Sequence, residues 1–383
     1  MPASLANSQA TEGYEMRSRQ MPRDEKKAIT LKTRTPPPRQ PWMLREIHEE
    51  PERVETLIAR ESERLDKALA RFRHDPPPLI LVAGRGTSDN AAVFGRYLFE
   101  HFVGIPVSGA ALSLFTLYPA PMHIRGALSI GVSQSGESPD VVKALEEARR
   151  AGAFTLAVTN APRSSLAQVA DHTIQLHARE ERAVAATKTF TCELVAMAMI
   201  CRAMGGDIEE AEIASIADAI RDAVACEDAV AEVAPYYRYA PRFVCLARGF
   251  NYATARETAL KLMETCYIGS SGMSAADFLH GPIAFVERDT PVLLFAPHGP
   301  THGFMVDLAK RLRKQEVDVL AFTDREAMLR HCTLGIRYPT RLREGLSPIP
   351  LATLGQLFAC HLALVRGLSP DAPRRLRKVT RTL

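Results

Sequence analysis

One pattern of apolar strands and glycine turns occurs twice along this chain, at an offset of 163 residues as measured from Arg85-Gly86 to Arg248-Gly249. Three pairs of segments match in the same order: LILVAGRGTSDNAA (79–92) with RFVCLARGFNYATA (242–255), ALSIGVSQSG (127–136) with TPVLLFAPHG (290–299), and FTLAVTN (154–160) with VDVLAFTD (317–324). Recurrence of three strands in order at nearly one offset indicates two copies of one structural unit.

Helical segments separate the strands, so that the first copy follows a β-α-β-α-β order. The strands are nearly continuous apolar runs, which are typical of a parallel sheet covered by helices on both faces. The sequence therefore predicts an α/β protein with two doubly wound, flavodoxin-like parallel sheets in tandem, each part of a three-layer α/β/α unit. The predicted elements are strands at 78–86, 126–133 and 153–160, and helices at 52–74, 89–104, 139–152, 183–204 and 207–233.

Composition excludes several classes of protein. The net charge of +4 arises in residues 1–40, which hold eight Lys/Arg and four Asp/Glu, so the remainder is neutral and offers no footprint for nucleic acid. We find no signal peptide and no apolar run of 18 residues, and we expect a cytoplasmic protein that does not bind membranes. The seven cysteines are scattered without metal-binding spacing, which predicts reduced core residues.

The chain divides into four parts by these criteria. Residues 1–43 are predicted to be a disordered basic extension, because they are polar and end in a proline run. The first domain, with its N-terminal helix, is expected over 44–208 and the second over 209–368. The basic tail, 369–383, has apolar residues at three-residue spacing, which suggests that it docks on the body and closes the site.

A loop of small hydroxylated residues follows the second strand of the first copy. It contains Ser133, Gln134, Ser135 and Ser138, and Pro139 then opens a helix. In an open parallel sheet, ligands bind at the carboxyl ends of strands, where a helix presents free N–H groups. The loop therefore predicts a phosphate site, with an ordinary helix N-cap as the alternative. The second copy keeps the glycine but lacks the serines, so only the first is expected to bind the ligand.

Other candidate residues are less distinctive by themselves. Thr87 and Ser88 stand at a glycine turn between strand and helix, which is either a binding loop or a capped turn. Lys261 and Glu264 share one helical face, as a catalytic pair or a surface ion pair would. His280 lies at a Gly-Pro turn, where histidine has little packing duty. Lys188 interrupts an apolar segment and is either a helix-end cation or a ligand contact.

In this order, the motifs resemble those of the sugar isomerase (SIS) domain family, and most closely the isomerase half of glutamine–fructose-6-phosphate aminotransferase. The resemblance covers about residues 44–383. The motifs that carry it are GTS (86–88), SQSGES (133–138), VAATKTFT (184–191), ALKLMET (259–265), HGP (280–282) and PRRLRK (373–378).

The resemblance implies a set of substrate-binding residues. These would hold the sugar phosphate and neighbouring hydroxyls: Thr87, Ser88, Ser133, Gln134, Ser135 and Ser138. Val184 matches the position that contacts the sugar through its backbone.

It also implies a set of catalytic residues. Glu264 matches the base that moves a proton between C1 and C2, and Lys261 lies beside it. His280 matches the ring-opening histidine, which in the family comes from the other subunit of a homodimer. Lys378 matches the tail lysine that forms an imine with the ketose. These residue types suit amino-sugar isomerisation without a metal or another cofactor.

The expected reaction is conversion of glucosamine 6-phosphate to fructose 6-phosphate and ammonia, as in SIS-type glucosamine-6-phosphate deaminases. We base this on the first 43 residues, which are too short to hold a glutaminase domain. The sequence departs from the synthase at Ser138, Arg85, Ala186 and Arg377, where threonine, a small thiol, serine and alanine are usual. Two of these departures, Ala186 and Arg377, are expected at the sugar end of the pocket.

Several alternatives stay open from the sequence. Related reactions are galactosamine-6-phosphate deamination, fructosamine-6-phosphate deglycation, plain ketose/aldose phosphate isomerisation, and amination with ammonia from a separate glutaminase. A non-catalytic phosphosugar sensor is the alternative from a different class. Retention of Glu264, His280 and Lys378 together favours an enzyme, because a sensor needs only the phosphate loop.

Overall fold

The computed structural model describes residues 40–118, 121–339 and 342–378, which form two five-stranded sheets surrounded by helices. The strands of the first sheet are β1 Ile80–Ala83, β2 Val107–Gly109, β3 Leu128–Val132, β4 Phe154–Thr159 and β5 His172–Gln175. Those of the second sheet are β6 Arg242–Ala247, β7 Gly269–Ser274, β8 Val292–Phe295, β9 Val319–Thr323 and β10 Leu334–Arg337.

The helices divide between the two sheets. Those that precede the second sheet are α1 Trp42–His48, α2 Glu50–Leu69, α3 Thr87–Leu98, α4 Ser113–Thr116, α5 Pro139–Arg150, α6 Ser165–Val169, α7 Lys188–Ala203, α8 Glu210–Val224 and α9 Glu227–Val233. Those that follow β6 are α10 Tyr252–Cys266, α11 Ala275–Leu279, α12 His302–Lys314, α13 Glu326–Leu329 and α14 Pro348–Val365. A π-helical turn, Phe99–Val103, extends α3.

Both sheets have the same strand order. It is β2-β1-β3-β4-β5 in the first sheet and, read from the opposite edge, β7-β6-β8-β9-β10 in the second. Every strand pair is parallel. This is the flavodoxin-like order of a doubly wound fold. The predicted fold class and the predicted repeat are therefore confirmed.

The sequence pattern predicts the three inner strands of each sheet but none of the four edge strands, β2, β5, β7 and β10. An inner strand has neighbours on both sides and helices on both faces, so its residues are uniformly buried and mostly apolar, as in β3. An edge strand leaves part of its surface exposed. In β7, GSSGMS, every residue is exposed or half-buried, and the sequence therefore has no apolar run.

Two predicted helices differ from those observed. The helix expected over 183–204 starts only at Lys188, because the N–H groups of Ala183 and Thr187 donate to the carboxylates of Glu46 and Glu181 instead of continuing a helix. The helix expected over 207–233 is interrupted between α8 and α9.

The ends of the described chain meet beside the second sheet. The predicted extension over 1–43 overlaps α1 at Trp42 and Met43, and residues 1–39 lie outside the described residues. The N–H groups of Trp42 and Met43 both donate to the carboxylate of Asp371, at 2.9 Å. The C-terminal tail is thereby anchored to the first helix.

Helix α14 is the apolar centre of the second half. By length and hydropathy it is the one helix in the described part of the chain that passes the test for a membrane span, but 83% of the tested segment is buried within the fold. It packs against α10, α8 and α1. Burial of this kind is the pattern of a core helix.

Candidate active site

A cavity of about 370 Å³ lies between the carboxyl edge of the first sheet and helix α10, which belongs to the second sheet's half of the chain. It collects ten of the eleven residues that the sequence predicts for the site: Thr87, Ser88, Ser133, Gln134, Ser135, Ser138, Val184, Lys261, Glu264 and Lys378. Residues separated by almost 300 positions thus converge on one volume of the size expected for a small-molecule site.

The serine loop forms one wall between β3 and the N-terminus of α5. The hydroxyl oxygens of Ser133 and Ser138 lie 3.1 Å apart, and the Gly136 N–H donates to Ser133 Oγ at 3.2 Å. Ser138 is the N-cap of α5, and Pro139 begins the helix. The hydroxyls therefore surround a helix N-terminus, whose dipole favours an anion.

The turn between β1 and α3 forms the adjacent wall. Arg85 pairs with Asp140 in the first turn of α5, with Nε 2.6 Å from Oδ2, and this ion pair ties the two loops together. Thr87 donates to Glu257 of α10 at 3.0 Å, and Asn90 donates to the same carboxylate at 2.7 Å. The two halves of the chain are thus hydrogen-bonded to each other at the edge of the cavity.

Helix α10 supplies a charged face formed by Glu257, Lys261 and Glu264, which are spaced four and three residues apart. Lys261 Nζ lies 3.2 Å from Glu257 and 2.5 Å from Glu264, and it donates to Thr87 Oγ1 at 3.2 Å. Burial by itself would lower the pKa of Lys261, but the two carboxylates outweigh burial and raise it above its ordinary value. The lysine is therefore a buried cation that orients Glu264.

The C-terminal tail closes the cavity from the side of the loop that precedes α7. Lys378 Nζ donates to Glu181 Oε2 at 2.6 Å and to the Ala183 carbonyl at 2.7 Å. Burial acts against ionisation of Glu181, but Lys378 and the hydrogen bonds of this loop hold its pKa below the ordinary value. Val184 donates its N–H to the Asp371 carbonyl at 3.0 Å, which leaves its carbonyl oxygen as its backbone group for a ligand.

Two sequence candidates lie outside the lining of this cavity. His280 is exposed at the end of α11, and no contact brings it to the serine loop or to Glu264 among the described residues. Lys188 is buried at the start of α7, where it donates to Glu49 and to the Glu180 carbonyl, both at 2.7 Å. Of the two readings of Lys188, the structure shows the structural cation.

In the second copy, the carboxylate of Glu344 occupies the corresponding turn. Gly299 stands at the position of Gly136, and a Cβ atom there would lie 2.1 Å from Glu344 Oε2. Thr301 donates its N–H to the same oxygen at 3.3 Å and its hydroxyl to Glu344 Oε1. An internal anion therefore satisfies the turn before α12, where the first copy leaves room for a ligand.

Sequence reasoning missed Glu193 of α7, which also lines the cavity. Its side chain is 1% exposed, and Oε1 accepts a hydrogen bond from the Ser88 hydroxyl at 2.8 Å. Burial and, to a smaller extent, the negative charges of Glu257 and Glu181 raise the pKa of Glu193 to about 8. The available signal was its position, because it is the only charged residue between Lys188 and Arg202.

Replacing Gly136 by alanine is expected to lower the free energy of unfolding by about 1–3 kcal/mol more than the same change at Gly126. Both glycines have positive φ, 66° and 79°, so both substitutions carry the left-handed backbone cost. Only Gly136 is crowded, because its Cβ would lie 1.9 Å from Ser164 Oγ, whereas nothing lies within 4 Å at Gly126. Urea unfolding of both variants measures the difference, and equal losses would contradict the crowding.

Comparisons with known proteins identify the family and the fold. The SIS domain profile matches residues 77–202 and 236–366, one match on each sheet. The glutamine–fructose-6-phosphate aminotransferase (isomerizing) of Pyrococcus horikoshii is 31% identical over 346 residues, which cover 88% of this chain and 57% of that protein. The chain thus spans little more than half the length of this relative.

Two solved structures have the same fold. The C-terminal domain of glucosamine-fructose-6-phosphate aminotransferase from Francisella tularensis has a TM-score of 0.79 at 24% identity, covering 88% of this chain and 99% of that one. Glucosamine-6-phosphate deaminase from Thermotoga maritima has a TM-score of 0.73 at 20% identity, covering 89% and 100%. Together with the profile matches and the repeated strand order, they lead to one conclusion: the chain belongs to the SIS domain family and carries two SIS domains in tandem.

Proposed function

We propose that this protein converts glucosamine 6-phosphate and water to fructose 6-phosphate and ammonia, through an aldose–ketose isomerisation of the amino sugar. The observation that carries the proposal is the convergence, in one cavity, of the serine loop, the Lys261–Glu264 pair and the tail lysine Lys378. A phosphate site alone would suit a sensor. A phosphate site beside a buried acid–base pair suits proton transfer on a sugar phosphate.

The serine loop would hold the phosphate. Hydroxyls of Ser133, Ser135 and Ser138 stand at the start of α5, where the helix dipole favours an anion. The helix terminus contributes about 0.3–1 kcal/mol to anion binding, and up to about 2 kcal/mol when partly buried. Hydroxyl donors that need no charge let the loop accept a dianion without competing with the cations required elsewhere in the cavity.

Glu264 would move the proton. Its side chain is 21% exposed, so a substrate can reach the carboxylate, while Lys261 holds one of its oxygens. In the open-chain sugar, Glu264 removes the proton from C2 and returns it to C1, while O1 gains the proton that the nitrogen loses, and Lys261 stabilises the negative charge that develops between these steps. The product carries an imine at C2. Water adds to this imine, and the C–N bond breaks to release ammonia and the ketone.

Two further residues complete the proposed site. Lys378 would supply a positive charge near the ketose or form an imine with it, after release from Glu181. The described lining of the cavity contains no histidine that could open the sugar ring. We therefore propose a homodimer in which His280 of a second copy enters the cavity.

Seven free cysteines are consistent with the reducing environment of the cytoplasm.

Synthesis is the second candidate reaction. The relative from Pyrococcus horikoshii, 31% identical over this chain, is named as an aminotransferase. The same proton transfers run in reverse would convert fructose 6-phosphate and ammonia into glucosamine 6-phosphate. In that case the same cavity would catalyse the reverse of the proposed reaction.

The test is incubation of the purified full-length protein with glucosamine 6-phosphate, with ammonia and fructose 6-phosphate measured separately. Formation of both in equal amounts is expected. A parallel incubation of fructose 6-phosphate with ammonia measures the reverse reaction. Accumulation of glucosamine 6-phosphate there, without deamination in the first incubation, would favour synthesis. Binding of glucosamine 6-phosphate without any product in either incubation would contradict the enzyme and favour a sensor.

A further inference from the structure

The wall of the cavity contains a carboxyl group that the proposed proton transfers do not use. Glu193 is 1% exposed, and only its Oε1 is hydrogen-bonded, to Ser88. Its Oε2 has no hydrogen-bond partner within residues 40–118, 121–339 and 342–378. A buried polar oxygen without a partner costs free energy. In a binding cavity, such an atom indicates a group that the ligand is expected to satisfy.

The surrounding charges show which kind of group fits. Four glutamates, Glu181, Glu193, Glu257 and Glu264, lie in or beside the cavity, and its lining contains four cations, Arg85, Lys261, Arg377 and Lys378. Lys378 neutralises Glu181 at 2.6 Å, and Lys261 is shared between Glu257 and Glu264 at 3.2 and 2.5 Å. Arg85 is paired with Asp140, and Glu193 is in no ion pair among the described residues, although Lys261 acts on it from a distance and lowers its pKa. Its Oε2 is therefore available to accept a hydrogen bond from a cationic group on the inner side of the cavity.

A metal ion does not fit as the cationic partner of Glu193. The described residues contain no group of three or more His, Cys, Asp and Glu side chains arranged to hold one. A single carboxylate with one free oxygen suits an ammonium group, which is a compact cation with N–H donors. The ligand, rather than a resident ion, would then bring the charge.

We propose that Glu193 forms an ammonium subsite, which recognises the amino group of the amino-sugar phosphate. The subsite rests on the proposed function for the class of ligand. Oε1 stays on Ser88, and Oε2 accepts a charge-assisted hydrogen bond from the substrate nitrogen. Glu193 thereby selects amino sugars over sugars that carry a hydroxyl at C2. It also holds the nitrogen beside Ser88, on the side of the cavity where Lys261 is hydrogen-bonded to both Thr87 and Glu264.

The unliganded state agrees with this assignment. Burial and the neighbouring carboxylates raise the pKa of Glu193 to about 8, so the free protein holds a proton on this group near neutral pH. An amine among electron-withdrawing carbons has a pKa on the order of 8, as α-amino groups do. Glu193 is therefore neutral in the free protein and gives up its proton when the ammonium group binds. Its carboxylate is thus not charged without a partner in either state.

The experiment compares two open-chain analogues that cannot react because their carbonyl group is reduced. They are 2-amino-2-deoxyglucitol 6-phosphate and glucitol 6-phosphate, which differ only in the amine at C2. Calorimetry on the wild-type protein is expected to show at least about tenfold tighter binding of the amine. Glu193→Gln keeps the size of the side chain and an acceptor for Ser88. It is expected to bring the ratio of the two dissociation constants close to one, with glucitol 6-phosphate bound almost as before.

Glu50→Gln is the matched control. Glu50 is also fully buried, has an unpartnered Oε1 among the described residues, and has a pKa raised to about 8 by burial, but it lies outside the cavity lining. This variant is expected to keep the wild-type ratio.

Two outcomes would overturn the subsite: a wild-type ratio near one, or a ratio preserved in Glu193→Gln, whether or not that change weakens both analogues equally. Failure of the proposed reaction looks different, because deamination would then be absent while the preference for the amine persists. Lack of binding of both analogues to the wild-type protein would contradict the subsite and the proposed function together.

Discussion

Replacing Glu264 by glutamine is expected to lower kcat for deamination of glucosamine 6-phosphate by about 10²- to 10⁴-fold, the usual contribution of a general acid–base. The amide oxygen of glutamine still accepts the hydrogen bond from Lys261, which lies 2.5 Å from the carboxylate. The geometry of the cavity is thus kept while the base is lost. KM is expected to stay within about threefold, because the lost interaction forms in the transition state. Steady-state release of ammonia measures both parameters.

The matched control for this change is Glu210→Gln, which removes an exposed carboxylate from the first turn of α8, outside the cavity lining. Its kcat is expected to equal that of the wild-type protein. The proton-transfer role of Glu264 would be contradicted if Glu264→Gln kept more than about a tenth of the wild-type kcat. A rise in KM alone would instead make Glu264 a binding residue.

Replacing Lys261 by methionine is expected to lower the free energy of unfolding by about 3–5 kcal/mol, as expected when one partner of a buried ion pair is removed. Lys261 and Glu257 have side chains that are 1% and 2% exposed. Burial raises the pKa of Glu257 above its ordinary value, and the positive charge of Lys261 opposes that rise. Without the lysine, this opposition is lost. The carboxyl must then either stay charged without a partner or take up a proton. Urea unfolding at pH 7 measures the loss.

Two further variants show whether the loss comes from the buried charge. Lys310→Met removes an exposed lysine that lies 3.1 Å from Asp307 on α12, and it is expected to cost less than about 1 kcal/mol. The double change Lys261→Met/Glu257→Gln removes the orphaned carboxylate, and it is expected to recover part of the stability lost in Lys261→Met. Equal costs for Lys261→Met and Lys310→Met would show that the buried pair does not stabilise the fold.

The fold could be predicted from the sequence where burial is complete. Inner strands such as β3 and β8 are covered on both faces, so their apolar runs recur in both copies and reveal the repeat. Edge strands such as β5, HTIQ, are half-exposed and leave no such run. The late start of α7 at Lys188 was also outside the reach of a local pattern. It depends on Glu46, which is distant in sequence, and on Glu181, which lies just before the loop. Their carboxylates accept hydrogen bonds from the N–H groups of Ala183 and Thr187.

The candidate site divides in the same way. The serine loop follows directly from local sequence, since small hydroxyls after an apolar strand and before Pro139 are a signal within ten residues. The readings of Lys261 and Glu264 stayed open, because a surface ion pair and a catalytic pair have the same spacing. Only burial separates the two readings, and Lys261 is 1% exposed. Glu193 was missed because its role depends on which groups its side chain faces, and the sequence of an apolar helix does not show those groups.

The sequence by itself determined the local and periodic features of this protein. These are two repeated α/β units, their apolar inner strands, and the serine loop present in the first unit alone. Such features depend on residues close together in the chain or on a regular spacing. The tertiary structure decided which distant groups share one volume: α10 of the second unit beside Thr87 of the first, Lys378 on Glu181, and Glu193 with an oxygen that has no partner among the described residues. Coulomb energies depend on distance and burial, and a linear sequence contains neither for residues far apart.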